Sequence, residues 1–283
     1  DDDLAKIEEI LKQKQAYLDC SLLTGQEINK QEPFLDANKV TGAVYCPDEG
    51  KLDPFQVTLG FMDGAQAKGA SLATKTAVTG FEVEGNRIVA VKTSAGPIKV
   101  TEVVLASGAW TYELATFLGL DLPVYYHRGA AMVTQPIPPT INGPIVPGKF
   151  LTGSIDHNGS VFLGTVQHEN GSVIIAQAND KVQNYDVNVT YRGITKMAQL
   201  FLEYFPKLNY ANIIRAWAGV TTYVEDGLPF FGYSKKIQNL FLVAGFKGAF
   251  TVAPAVGRMA AEVICTGQSN IDGSTFSPKR YNQ

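Results

Sequence analysis

The chain has no GxG. Its 27 glycines include no two separated by a single residue, so a GxGxxG fingerprint occurs nowhere in the 283 residues. A self-contained dinucleotide-binding protein of that type is excluded. Histidine is scarce: His127, His157 and His168 are scattered, without zinc-ligand spacing, and no metal site is expected. Cysteine is scarce too. Cys20, Cys46 and Cys265 form no CxxC and read as buried packing residues or inert surface thiols, so a reduced, cytoplasmic setting is expected. No run of about 18 apolar residues occurs, and no membrane span is expected. Lys plus Arg number 24 against 27 Asp plus Glu, a net charge of −3, without the basic surplus of a nucleic-acid binder. The chain starts at Asp1, not Met, and opens on a helical pattern without a signal peptide, so a processed or truncated chain is expected.

What is present is enough for a sizeable core: 45% hydrophobic and 18% charged residues, over a length that suits one large or two medium domains. Residues 4–18 place Leu4, Ile7, Ile10, Leu11, Tyr17 and Leu18 at near-helical spacing. Thr24 and Glu27 form a capping-box pattern that starts a short helix over 25–31. An extended stretch over 42–45 precedes a Pro-Asp-Glu-Gly turn. Asp53 caps a helix with Pro54 in its first position, running to about 68 and stopped by Gly69. Strands are predicted over 70–74, 77–84, 87–93 and 96–106; the last ends in Val103-Val104-Leu105-Ala106, an apolar run that reads as a buried parallel strand. A helix to about 118 follows.

Residues 123–178 change character. Alternating segments at 128–134, 149–154, 161–166 and 173–176, split by Pro- and Gly-rich turns, predict an antiparallel sheet. A helix over 186–205 stops at Pro206. Strands are predicted at 213–220 and 240–244, and a helix at 254–266 ends at Gly267. Two discontinuous domains follow: an α/β layer from 54–118 and 217–268, and a sheet-plus-helix layer from 1–53 and 119–216, with 269–283 as a tail.

Chemistry concentrates at two strand-to-helix junctions. Leu240–Ala244 delivers Gly245-Phe246-Lys247-Gly248-Ala249-Phe250-Thr251. Small residues there let a planar ligand approach the backbone, and helix N-terminal amides are unpaired donors. Val104-Leu105-Ala106-Ser107-Gly108-Ala109-Trp110 repeats that logic. Each could also be an ordinary turn, with Trp110 a packing aromatic. Arg215 could hold an anion or a surface carboxylate. His127, beside Tyr125 and Tyr126, could be a general base or a structural residue. No nucleophile–base pair is visible.

In order, these segments resemble the D-amino-acid oxidase-like family of FAD-dependent oxidoreductases, which includes glycine oxidase, sarcosine oxidase and the flavin subunits of proline and opine dehydrogenases. The resemblance rests on Glu32-Pro33-Phe34, Gly42-Ala43-Val44-Tyr45, the stretch 48–54, Lys68-Gly69-Ala70 with 76–81, the turn 104–110 (the family's "AAGAW"), Arg128-Gly129, Trp217-Ala218-Gly219 with Asp226-Gly227-Leu228-Pro229 and Gly232, and the loop and helix 245–257. It spans about residues 30–267.

The resemblance implies an α/β plus α+β architecture: an incomplete, Rossmann-like FAD-binding domain and an antiparallel-sheet substrate domain. It implies FAD as cofactor, held by Val78, Ala106, Ser107, Gly108, Trp110, Gly219, Asp226, Gly227, Gly245, Phe246, Lys247, Gly248, Ala249, Phe250 and Thr251. Lys247 is the catalytic candidate, and Arg128, Thr221 and Tyr223 are substrate-binding candidates. The family's GxGxxG unit would lie before Asp1, so this piece alone is expected to be inactive. Thr221 stands where glycine-oxidase-like members carry a carboxylate-binding arginine, which threonine cannot replace. The implied activity is oxidation of a C–N bond in an amine or amino-acid substrate by hydride transfer to flavin N5. Two alternatives stay open: a flavin subunit that passes electrons to a partner, and a non-catalytic interaction module. A partner subunit or a homo-oligomer is compatible with these readings.

Overall fold

The computed structural model describes residues 2–14, 18–152 and 159–281. In chain order the helices are α1 (Asp2–Lys14), α2 (Gln26–Gln31), α3 (Pro54–Ala67), α4 (Thr111–Thr116), α5 (Gly148–Leu151), α6 (Tyr191–Tyr204) and α7 (Ala249–Thr266). The strands are β1 (Ser21–Leu23), β2 (Ala43–Tyr45), β3 (Val78–Glu84), β4 (Arg87–Thr93), β5 (Gly96–Lys99), β6 (Val103–Leu105), β7 (Val124–Thr134), β8 (Val161–Gln167), β9 (Val173–Val182), β10 (Ile213–Val224), β11 (Phe230–Tyr233) and β12 (Leu240–Ala244). The chain divides into one unit of residues 1–52, 127–182 and 186–220 and another of 53–126, 183–185 and 221–283.

In the first unit, β10, β7, β9 and β8 form a four-stranded sheet in that order, with β8 and β9 antiparallel. Alternate residues of β7 and β9 (Ala130, Met132, Val173, Ile175) face a core completed by Met197, Phe201, Phe205 and Leu208 of α6 and the segment after it. The Thr190 hydroxyl accepts from Gly193 N–H at 3.2 Å, which starts α6 at 191, later than the pattern predicts. The buried Gln167 amide is a pin. Its Oε1 accepts from Thr140 and Ile141 N–H (2.7 and 3.1 Å), and its Nε2 donates to the carbonyls of Ile137, Pro138 and Gly171.

β1 and β2 pair antiparallel, Ser21 opposite Tyr45, and the adjoining Cys20 and Cys46 form a disulfide. This corrects the expectation of packing residues or inert thiols for that pair; the strand pairing joins cysteines 26 residues apart. Cys265 is exposed. The predicted strand at 149–154 is instead helix α5 over its first three residues, Thr152 caps that helix, and 153–154 lie outside the described residues, as do Tyr17 and His157.

In the second unit, β3, β4 and β5 form an antiparallel sheet, and β11, β12 and β6 form another, with β12 parallel to β6 and antiparallel to β11. The predicted strand over 96–106 is therefore two strands in two sheets. The run 70–74 is loop. Val104 is 46% exposed, so β6 is not the fully buried strand its composition suggests. Asp53 caps α3 through Phe55 and Gln56 N–H, and Gly69 follows it with φ 95°. The core gathers Ile88, Leu105, Leu122, Phe230, Leu240 and Leu242, with Phe231, Phe241 and Met259 in an adjoining cluster. Buried Asn239 bridges elements: it accepts from Ile88 N–H and donates to the carbonyls of Ile88 and Thr101, all at 2.8 Å.

Helix α7 begins at Ala249, five residues before the predicted start, with Gly248 left-handed at its N-cap. It is 18 residues long with a mean hydropathy of 1.2, and is the one described helix long and apolar enough to cross a membrane. It is not an unbroken apolar run, since Arg258 and Glu262 interrupt it. Met259 and Ala260 are its buried residues, and it carries a surface ion pair, Arg258–Glu262 at 2.7 Å.

Candidate functional site

Ligands in open α/β sheets collect at the carboxyl ends of parallel strands. β6 and β12 are hydrogen-bonded parallel neighbours, Leu105 level with Leu242, so their carboxyl ends emerge side by side. From β6 comes Ala106-Ser107-Gly108, with Gly108 at φ 55° and open space where a Cβ would lie. From β12 comes Gly245-Phe246-Lys247-Gly248, with both glycines at positive φ (77° and 63°), a conformation costly for other residues.

The last four residues of β10 brace both turns. Alternation sends Thr222 and Val224 to one face, where both are buried. The Thr222 hydroxyl donates to the Gly108 carbonyl at 3.1 Å. Gly245 lies so close to Val224 that a Cβ there would stand 2.6 Å from Val224 Cγ2. Thr221 and Tyr223 take the other face. The Lys247 ammonium lies 5.6 Å from the Tyr223 ring centroid, and Tyr125 meets that ring edge-on at 6.0 Å. Burial pushes the Tyr223 phenol above its usual pKa, the Thr221 hydroxyl hydrogen bond opposes this, and Tyr125 adds to the rise. Tyr223 is therefore a neutral hydroxyl at physiological pH.

The geometry brings most of the predicted residues together. Ala106, Ser107, Gly108, Thr221, Tyr223, Gly245, Lys247 and Gly248 belong to these turns and their brace. Phe246 continues the β12 loop, and Ala249, Phe250 and Thr251 form the first turn of α7. That turn directs amide N–H groups and the positive dipole end at the loop. Trp110 stands at the end of its turn, half exposed and tilted 33° against the Tyr185 ring, with centroids 4.8 Å apart.

Other predicted residues stand elsewhere. Val78 opens β3, in a different sheet of the same unit. The Asp226 carboxylate is taken by Arg280 (2.7 Å) and by Leu228 N–H (2.9 Å), and Arg280 holds its pKa down at about 2. Gly219 and Arg128 belong to the first unit. The Arg128 guanidinium is buried between Asp186 at 2.7 Å and Asp180 at 3.0 Å, so both ends of its fork are occupied by the protein's own carboxylates. His127 is buried in β7.

Sequence reasoning missed Tyr125 as a partner of Tyr223, Thr222 as the tie to Gly108, and Arg280. Only Thr222 left a signal, its alternation with Thr221 and Tyr223. A cavity of about 510 Å³ lies away from these turns, at the start of β12, lined by Tyr233, Ser234, Lys235, Gln238 and Lys279.

The donor set fits a flavin. Gly108, open where a Cβ would lie, admits a flat ring to the backbone, and a helix N-terminus with a lysine offers positive charge to its carbonyl oxygens. Comparison with known proteins agrees. The family model described as "FAD dependent oxidoreductase" (DAO) matches residues 1–263. Subunit HcnC of hydrogen cyanide synthase from Pseudomonas protegens is 25% identical over 94% of this chain and 60% of its own length. Glycine oxidase from Geobacillus kaustophilus is 26% identical over 92% of this chain and 65% of its own. The crystal structure of L-proline dehydrogenase from P. horikoshii superposes with a TM-score of 0.88 at 31% identity, over 99% of this chain and 74% of that one. The chain thus spans about three-fifths of the length of the curated relatives it matches.

Proposed function

We propose, from the premise that the chain belongs to the DAO family of FAD-dependent oxidoreductases, that its protein oxidises the C–N bond of an amino-acid or secondary-amine substrate. The observation that carries this reading is the pairing of the β6 and β12 turns with the N-terminus of α7. FAD, when bound, supplies the acceptor for the substrate's α-hydride, and the resulting imine hydrolyses in water.

The chain's own residues provide placement and charge. Gly108, with open space where a Cβ would lie, leaves the backbone open to a flat ring, and Gly245 lets the second turn close on Val224. The first-turn amides of α7 and the Lys247 ammonium stabilise negative charge at the ring's carbonyl end. Tyr223 and Tyr125 offer aromatic faces beside that charge. Thr221 cannot clamp a carboxylate, so the ammonium of Lys247, held against Tyr223, is the site's own candidate to hold a substrate carboxylate.

The test is titration of the full-length protein with FAD, followed by anaerobic addition of L-proline, glycine or sarcosine. A flavin absorbance that bleaches supports the proposal. A protein that stays colourless after FAD incubation refutes it. A second reading, transfer of electrons to a partner subunit, is favoured by the likeness to HcnC, itself a subunit. Anaerobic dye reduction with little peroxide in air supports that version, and stoichiometric peroxide refutes it.

A further inference from the structure

We propose that Arg280, in the tail after α7, is a positioning residue: it locks the 224–228 turn, and that turn is the wall that holds Gly245 and Lys247 in place. The inference rests on the reading that the 245–248 loop faces the flavin.

Arg280 divides its guanidinium between this turn and its own tail. Nε donates to Asp226 Oδ2 at 2.7 Å, and Nη2 donates to Asp226 Oδ1 at 3.3 Å and to the Leu228 carbonyl at 2.7 Å. Nη1 donates to the carbonyls of Phe276 and Ser277 at 2.9 and 3.1 Å, which ties the same group to its own tail. The plane lies over the rings of Phe230 (4.7 Å) and Tyr281 (5.0 Å). A residue 54 positions away in sequence thus grips both ends of the Asp226-Gly227-Leu228 turn. A planar fork can do this; a lysine ammonium can satisfy only part of it.

The turn in turn bears on the loop. It closes on itself through Gly227 N–H to the Val224 carbonyl at 3.0 Å, with Gly227 at φ 79°. A Cβ on Gly245 would meet Val224 Cγ2 at 2.6 Å and lie 3.8 Å from Pro229 Cα, so the residues flanking the turn back the loop directly. A Cβ on Gly227 would lie 4.0 Å from Lys247 Nζ. Any shift of the turn therefore moves the wall behind Gly245 and the ground beneath the Lys247 ammonium.

Hydrogen–deuterium exchange on the chain without cofactor tests this directly. R280A is expected to speed exchange roughly tenfold, about 1.4 kcal/mol of local opening, in peptides covering 225–229 and also 251–257, whose amides bond back onto Gly248 and the first residues of α7, with the β8–β9 hairpin unchanged. R280K should restore part of the protection in both peptides, and D226N, which keeps the acceptor for Leu228 N–H, should fall between. Loosening confined to 225–229 and the tail, with 251–257 protected as in wild type, overturns the proposal. In the full-length protein, R280A should weaken FAD affinity and shift the flavin absorption band; unchanged affinity and band overturn the proposal. A wild-type protein that binds no FAD fails the functional reading, and exchange still decides whether Arg280 holds the loop.

Discussion

Replacing Gly245 with alanine tests the geometry at its tightest point. Two costs add. At φ 77° a residue with a Cβ is strained by roughly 1–2 kcal/mol. The new methyl would also stand 2.6 Å from Val224 Cγ2 in a well-packed wall, an overpacking cost of about 1–3 kcal/mol. G245A should therefore lose about 2–5 kcal/mol. V224A alone removes buried methyls from a residue 1% exposed, at a cost of about 2 kcal/mol. The double variant should lose less than the two singles combined, because the truncated side chain makes room; a coupling of about 1–3 kcal/mol is expected. The strain from φ should remain. The assay is urea unfolding in a Trp217→Phe background, where Trp110 reports the unit that holds the site. Wild-type stability in G245A would refute the argument as a whole. Strict additivity in the double variant would refute the steric part and leave only the backbone part.

Three further outcomes follow from the structure. Reduction of Cys20–Cys46, or the C20A/C46A pair, should cost about 3 kcal/mol from the 26-residue loop it closes, read as a lower melting temperature in dithiothreitol that leaves the double variant unmoved. Q167A should cost about 3 kcal/mol or more in the first unit, because the N–H groups of Thr140 and Ile141 and the carbonyls of Ile137 and Pro138 lose this partner, while the Gly171 carbonyl keeps Ile137 N–H; Q167E should cost at least as much, since a carboxylate faces all three carbonyls, and urea midpoints compare them. The Asp226–Arg280 pair gives a defined acid response. Above about pH 5 the carboxyl is ionised folded and unfolded, and the pair contributes fully; as pH falls the unfolded chain takes up its proton near 3.8 while the folded one resists to about 2, so the contribution fades across that window. With the carboxylate side chain 32% exposed, solvent screening leaves about 1 kcal/mol, and D226N should flatten that part of the acid unfolding profile.

Much of this was legible because short-range rules carried it. The Asp53 cap and Pro54 start of α3, the limits of β4 and β12, and the stop at Gly267 each depend on a few neighbouring residues. What was not legible depends on partners far along the chain. β6 has three residues and β12 five, too short for either to announce that they lie side by side. The Cys20–Cys46 bond needs the β1–β2 register, and three-residue strands carry no periodicity to reveal it. Arg280 sits in a tail without helical or strand pattern, and its partners lie more than fifty residues earlier.

The start of α7 shows how a local rule can point to the wrong residue with functional consequence. Proline favours the first position of a helix, and Pro254 sets the predicted start there. The structure begins at Ala249 instead, because Gly248 adopts the left-handed conformation that turns the chain directly from the β12 loop into the helix, and Thr251 N–H closes on the Gly248 carbonyl at 3.1 Å. Pro254 then lies in the second turn, where it cannot donate to the Phe250 carbonyl. Had the helix begun at Pro254, its free amides would lie five residues beyond the loop, and its dipole would end away from Lys247. Starting at Ala249 sets those donors immediately beside Lys247 and Gly248, at the carboxyl end of β12. Gly248 is thus the residue that converts a strand end into a positively polarised ring of amides, and a side chain there, at φ 63°, would unwind the first turn that the proposed charge stabilisation needs.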